Sequence, residues 1–388
     1  MRSFMYLKNT LLATGIAISA MSLSVGTASA ETILNVATAG SQNMVDYVRF
    51  YLAPKFEATH PGVKIKTVGT GPGDAGSQKI FEKLEAQKKS NATSVDMDVA
   101  VVHQKMGGLL VDEGLLANFR DVIKTGHLVT RATAKNALGV DVDGYVFPMF
   151  HSQTAIAYNS DVVKDPPTSY EELVAWTKKY PKQFGYNGIK NGMSGVSFVV
   201  GWVYSHTPDA QIMMKGPYDS NLKSKWGEAL NKLKEFNKNV SFTPGNAGTL
   251  DMLNRGEIVM GPVWVDMFYT WMADGKIPPN LKLKLIAPGM PGQPMFYVIP
   301  KKAANMKLAL DFLELATSPE VQAEGIVKKF NWYPGIDAHH VKKHLNSADW
   351  SKLFVDVTPQ DLAEYGKTFP IVPYFDDVKE AYERQVSN

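Results

Sequence analysis

Between Thr32 and His103 the chain alternates between two hydrophobic rhythms, and that alternation restricts the fold more than any other feature. "TILNVATAG" (Thr32 to Gly40) reads as a buried strand closing in a turn, and Met44, Val45, Val48, Leu52 and Phe56 follow at helical spacing. "HPGVKIKTVGTG" is a turn and a second strand, with Val63, Ile65 and Val68 as its apolar members. Ile80, Phe81 and Leu84 mark a second helix, and "VDMDVAVVH" (Val95 to His103) a third strand. Strand, helix, strand, helix, strand specifies a parallel sheet covered by helices, an α/β fold. In such sheets ligands sit beyond the carboxyl ends of the strands.

Ahead of this pattern, Arg2 and Lys8 precede an apolar run from Leu11 to Val25, and Ala28-Ser29-Ala30 offers a small-residue cleavage site. Residues 1–30 read as a secretory signal peptide, so the mature chain begins at Glu31. The sequence has no cysteine. An exported chain without disulfide staples must bury a proper core. It also lacks the cysteine that would carry a lipid at the cleavage site, which predicts a product free in the periplasm. Removing Arg2 and Lys8 takes the net charge from +3 to about +1. That balance implies neither a nucleic-acid partner nor an anionic membrane.

A mature chain of about 358 residues exceeds what one core supports, which predicts two lobes. "GYVFPMFHSQTAIAYNSDVV" (Gly144 to Val163) carries extended pieces on either side of Phe150, His151 and Ser152, as a chain crossing between lobes would. "DPPTSYEELVAWTKKY" opens a helix with Thr168 and Glu171 at capping-box spacing. "LKLKLIAPGMPGQPMFYVIPKKA" holds two extended runs and reads as the return crossing. Two helices follow it, the second with Ser318 at the N-cap and Pro319 at N1. The division this predicts is 31–150 with 292–388 in the first lobe and 151–291 in the second. Two crossing strands can act as a hinge, and the cleft beside them is the natural ligand site.

The candidate site residues fall at turns around that cleft. "TGPGDAGSQK" looks like a phosphate loop, but Gly71 to Gly76 is followed by Ser77-Gln78-Lys79 rather than Gly-Lys-Ser/Thr. Nucleotide hydrolysis is disfavoured, and a strand-to-helix loop offering Gly73, Asp74, Gly76 and Ser77 to a solute fits better. Asp74 would repel an anion. Gly40, Ser41 and Gln42 close the first strand, while His103 and Gln104 end the third. Phe150, His151 and Ser152 sit at the crossing. In "GPVWVDMFYTW", Trp264 could stack on a sugar face or a cationic amine and Asp266 could hold a hydroxyl or ammonium. Trp332 and Tyr333 end a turn after a helix. Bland readings compete at each position: turn chemistry for the glycines, capping for Ser41 and Asp266, core packing for Trp264.

The ordered set of "FEATHPGVKIK", the Gly-rich loop, "AYNSDVV…PPTSYEEL", "LNRGEIVMGPVW", "FYVIPKKAANMKLALDFLELATSPEVQ" and "WYPGID" resembles the extracellular solute-binding proteins of bacterial ABC importers. The likeness spans nearly the whole mature chain and is greatest to the branch holding polyamine, iron, thiamine and aminoethylphosphonate binders. It implies the two-lobed type II periplasmic binding fold and capture of a small solute between the lobes. It further implies docking of a single subunit on permease subunits in the inner membrane, with no cofactor, no metal and no chemistry. Polyamine binders of this branch carry an acid in the return strand, where this chain has Met295-Phe296-Tyr297, and iron binders carry adjacent tyrosines where it has Trp332-Tyr333. A sugar or polyol, an amine, or a small zwitterion remains open. The enzymatic alternative is an exported hydrolase with glycosidase-like carboxylates. The chain has no Gly-x-Ser-x-Gly elbow, and His340 with His344 lies in a basic, solvated segment.

Overall fold

The computed structural model describes residues 31–190 and 192–387, so the signal-peptide reading of 1–30 lies outside the described residues. Eleven strands form one curled sheet: β1 (Thr32–Ala39), β2 (Val63–Gly71), β3 (Val99–His103), β4 (Phe147–Asn159), β5 (Phe184–Tyr186), β6 (Val240–Phe242), β7 (Met260–Trp264), β8 (Leu281–Lys284), β9 (Met290–Val298), β10 (Tyr333–Pro334) and β11 (Gly366–Thr368).

The first three strands pair in parallel in the order β2-β1-β3, as their alternation with helices predicts. Both faces of this sheet are covered, which is why β1 and β3 are apolar almost throughout. Val36, Val99 and Val101 pack into one core with Phe56, Phe312 and Ile326, while Ala37, Ala100 and Val102 pack into another with Ile80 and Leu84. At the edge, β2 alternates instead, and Lys64 and Lys66 hold its outer face in water. The second lobe repeats the scheme with β7, β5 and β6 in parallel around the helix Met193–Ser205, which is buried from Met193 to Tyr204.

Strand β4 joins the two sheets. Its first half pairs antiparallel with β9, from Phe147 to Gln153, and its second half with β7, from Thr154 to Tyr158. The two extended pieces read from the sequence are therefore one thirteen-residue strand that changes partners midway. Strand β9 is the return crossing and pairs antiparallel with β3 at its far end.

Two expectations are corrected here. The residues after about 356 do not stay with the first lobe. Val357, Phe369, Ile371, Tyr374, Phe375 and Val378 pack into the second lobe's core, and β11 pairs in parallel with the start of β9. The chain therefore crosses three times, and its last helix, Val372–Gln385, belongs to lobe two. The cap of helix Tyr170–Lys179 also sits one residue later than expected. Ser169 accepts from the Glu172 N–H at 3.1 Å, and the Glu172 carboxylate accepts from the Thr168 N–H at 2.7 Å. Ser318 caps the next predicted helix start as expected. No helix among the described residues is long and apolar enough to cross a membrane.

Candidate functional site

Three layers of the fold meet in one cleft. Its floor is the shared part of β4 and β9, where Ser152 pairs with Gln293 and Phe150 with Met295. One wall comes from lobe one: Gly40 and Ser41 after β1, Gly73 after β2, and His103 at the end of β3. The other comes from lobe two: Met193 and Asn246 at two helix starts, and Trp264, Asp266 and Met267 where β7 feeds helix Val265–Ala273. Every wall residue follows the carboxyl end of a strand or opens a helix. The gap between the lobes is narrow. About 30 Å³ of it admits the centre of a water, room for roughly two waters.

The strand pleat decides which crossing residues face this space. Successive side chains point to opposite faces, so Phe150 and Ser152 line the cleft while His151 does not. His151 faces a separate hollow behind the sheet with Arg131, Gln153 and Tyr333. Burial there, with Arg131 nearby, pushes the His151 imidazole down to about 3. Three consecutive residues cannot share one side of a strand, and the expectation for His151 is corrected accordingly.

Burial also decides His103. Its backbone N–H donates to Ser77 Oγ at 3.0 Å, and Ser77 Oγ lies 2.9 Å from His103 Nδ1. Ser77 Oγ and His103 Nδ1 share this second hydrogen bond, so Nε2 is the ring nitrogen left without a protein partner. Desolvation lowers the pKa of this imidazole, so it is neutral at pH 7. Ser77 itself is fully buried and does not line the cleft. It anchors the histidine that does.

The remaining predicted residues separate in the same way. Gly40, with φ of +117°, lets the chain turn where a Cβ would run into Met44 Sδ. Gly76 packs against the Gly71 carbonyl, a place only glycine can fill, and is structural. Asp74 turns aside to Lys379 of the last helix at 3.4 Å. Gln42 is exposed and donates to Asp46 at 2.8 Å. Gln104 is buried behind the rim. Trp332 has no exposed surface and stacks on the back of Phe150, ring centroids 4.2 Å apart, while Tyr333 borders the rear hollow. Gln42, Asp74, Gly76, Ser77, Gln104, Trp332 and Tyr333 therefore stand outside the cleft lining.

Among the described residues lining the cleft, Asp266 carries the single carboxylate. It accepts a very short hydrogen bond from the Ser152 hydroxyl across the crossing strand. Burial dominates its electrostatics and lifts its pKa to about 6, although Ser152 and the backbone N–H groups of Asp266 and Met267 pull the other way. Opposite it, Asn246 Oδ1 accepts from the Ser194 N–H at 3.2 Å and its hydroxyl at 2.7 Å. That fixes the amide so that its NH2 end is the one left over.

Sequence reasoning missed Gln293 and Met295, because only the register of β9 against β4 brings them beside Ser152 and Phe150. It also missed Asn43, Met44, Met193, Asn246 and Met267. For Met193 and Asn246 a signal existed. Each follows a glycine held at positive φ, Gly192 and Gly245, directly before a helix.

A family model for bacterial extracellular solute-binding proteins matches residues 52–338, most of the chain. The chain belongs to that family. Solved structures resemble it over almost their full length. The maltose-bound MalE3 of T. maritima superposes with a TM-score of 0.71 at 13% identity, covering 91% of this chain and 95% of that one. The spermidine/putrescine ABC transporter substrate-binding protein PotD of Streptococcus pneumoniae gives 0.65 at 13% identity, with 91% and 99% covered. An ABC transporter protein from Clostridium perfringens gives 0.61 at 16% identity, with 91% and 98% covered. At these identities the likeness carries the two-lobed fold and not the ligand. No curated protein sequence matches the chain.

Proposed function

We propose that this solute-binding protein serves an ABC importer, holding a small polar organic solute in the interlobe cleft and handing it to permease subunits in the inner membrane. The observation that carries the reading is the cleft itself. Both lobes contribute polar groups to it, and its floor is built from the strands on which the lobes would hinge. A solute bridging the two walls binds the closed form in preference to the open one, and closure proceeds only as far as that differential affinity drives it.

The reading includes no bond-making. A glycosidase needs two carboxyl groups flanking the scissile bond, and among the described residues lining the cleft only Asp266 carries one. The leader read from residues 1–30 fits a protein working free in the periplasm as a single subunit. Small-angle scattering of the mature protein, with and without compounds that raise its melting temperature, tests the proposal. The expected result is a smaller radius of gyration with a bound solute that is recovered unchanged. Scattering that never changes, or chemical turnover of the bound compound, would sink it.

A further inference from the structure

Among the described residues, no lysine and no arginine lines the cleft, yet it is rich in polar groups without partners. Helix Gly73–Lys89 begins at the lobe-one wall with Pro72 at its N-cap. Helix Asn246–Asn254 begins at the lobe-two wall behind Gly245. Neither has a side-chain cap, so their first N–H groups and the positive ends of their dipoles are left to the cleft.

Side chains independently give the same answer. Gln293 is 6% exposed, His103 4% and Trp264 7%, and all three line the cleft. The Gln293 amide, His103 Nε2 and Trp264 Nε1–H meet no protein partner among the described residues. These side chains are nine-tenths buried and their unpartnered polar atoms border the cleft, so the Trp264 N–H and the Gln293 amide point to a ligand that supplies acceptors. Asn246 adds its spare NH2 from the far side.

We propose that the solute carries a tetrahedral oxyanion group, a phosphate or phosphonate, seated between the lobes on these uncapped helix starts and neutral donors, with an O–H or N–H of the same solute donating to Asp266. Donors reach the space from both lobes, and three or four oxygens in a tetrahedron offer acceptors to both walls in more directions than the two coplanar oxygens of a carboxylate do. Asp74, which would oppose an anion, is held away by Lys379. The proposal rests on the cleft being the solute site and specifies its chemistry.

The test titrates the mature protein with inorganic phosphate, methylphosphonate, sulfate, glucose and putrescine in an anion-poor buffer, read by calorimetry and tryptophan emission. Asn246→Asp and Gln293→Glu are carried alongside. The first keeps the acceptor that Ser194 uses and the second is isosteric, so both fold while placing a negative charge against the ligand. Saturable binding of phosphate or methylphosphonate is expected, tighter than sulfate, which offers no proton at neutral pH. Each variant should weaken it at least tenfold. No response to either phosphorus compound, or equal binding by wild type and both variants, overturns the inference. Glucose or putrescine binding in that case would still uphold the importer reading, so the two fail separately.

Discussion

Replacing Asp266 by asparagine should stabilise the empty protein, and the gain should depend on pH in a defined direction. In the fold, burial raises the Asp266 pKa from 3.8 to about 6. A carboxyl whose folded pKa lies above its unfolded value favours folding while protonated, and that advantage disappears as pH rises through the folded pKa. Below about pH 3.8 the native carboxyl is neutral in both states and nothing is lost. Above about pH 6 the fold carries a desolvated charge. At about 1.36 kcal/mol per pH unit the displacement amounts to about 3 kcal/mol. Asparagine keeps an oxygen for Ser152 and the two backbone N–H groups and removes the charge. With an unfolding entropy of roughly 2.1 cal/mol/K per residue over ~358 residues, 3 kcal/mol corresponds to about 4 °C. Part of the 3 kcal/mol is already lost at pH 4, so the melting temperature of Asp266→Asn minus that of the wild type should be about 3 °C larger at pH 7.5 than at pH 4. Taking the difference at each pH cancels distant titrating groups common to both proteins. Tyr333, which senses Asp266, has its own pKa raised and stays protonated throughout. A difference that is flat with pH, or that shrinks as pH rises, would show that the hydrogen bonds outweigh desolvation and refute the reasoning. A carboxylate kept where it destabilises the empty fold is what a binding role explains.

Other outcomes follow from the same geometry. Solute binding should change tryptophan emission in the wild type and in Trp332→Phe but not in Trp264→Phe, because only Trp264 borders the cleft; a signal lost in Trp332→Phe alone contradicts this. Ser77→Ala should cost about 1–3 kcal/mol in urea unfolding and weaken solute binding as well, since it frees a buried histidine; unchanged affinity would show that His103 needs no anchor. The lobes are also joined by Lys379 with Asp74 and by Lys105 with Asp376. These are partly exposed pairs worth up to about 1 kcal/mol each, so Lys379→Ala should weaken solute binding by less than about fivefold and reduce its salt dependence. A larger loss would mean that the pair does more than hold the lobes together.

Much of the architecture was legible because periodicity reports local burial. The first three strands, the two helices between them and the long crossing at Phe150 are all visible as rhythms in the sequence. The third crossing was not. Between Phe354 and Val372 the chain has short turns and one seven-residue helix, and its apolar residues are too scattered to show which core they enter. The site was half legible for a related reason. Residues at strand ends and helix starts could be nominated one by one, but orientation could not. His151 and Ser152 are neighbours in sequence and face opposite sides of a sheet, while Ser152 and Gln293 are 141 positions apart and side by side. Register is a property of two strands together, and neither strand alone contains it.

The same register explains why the cleft lies where it does. At Gln153 the shared strand stops pairing with the return crossing, and at Thr154 it starts pairing with the second lobe. The Gln153 amide spans that change, donating to the Met290 carbonyl at 2.6 Å and to the Thr154 carbonyl at 3.1 Å. Ser152, one residue before it, reaches Asp266 in lobe two, and Phe150 is backed by Trp332 in lobe one. Within a few residues of that change of partner the strand is therefore fastened to both lobes. A rotation there, matched at the other two crossings, would move the two walls against each other while leaving the packed cores and the parallel strands of each lobe intact. Closure thus needs only a few backbone angles to change, and the residues that would sense a solute first are the ones nearest the pivot.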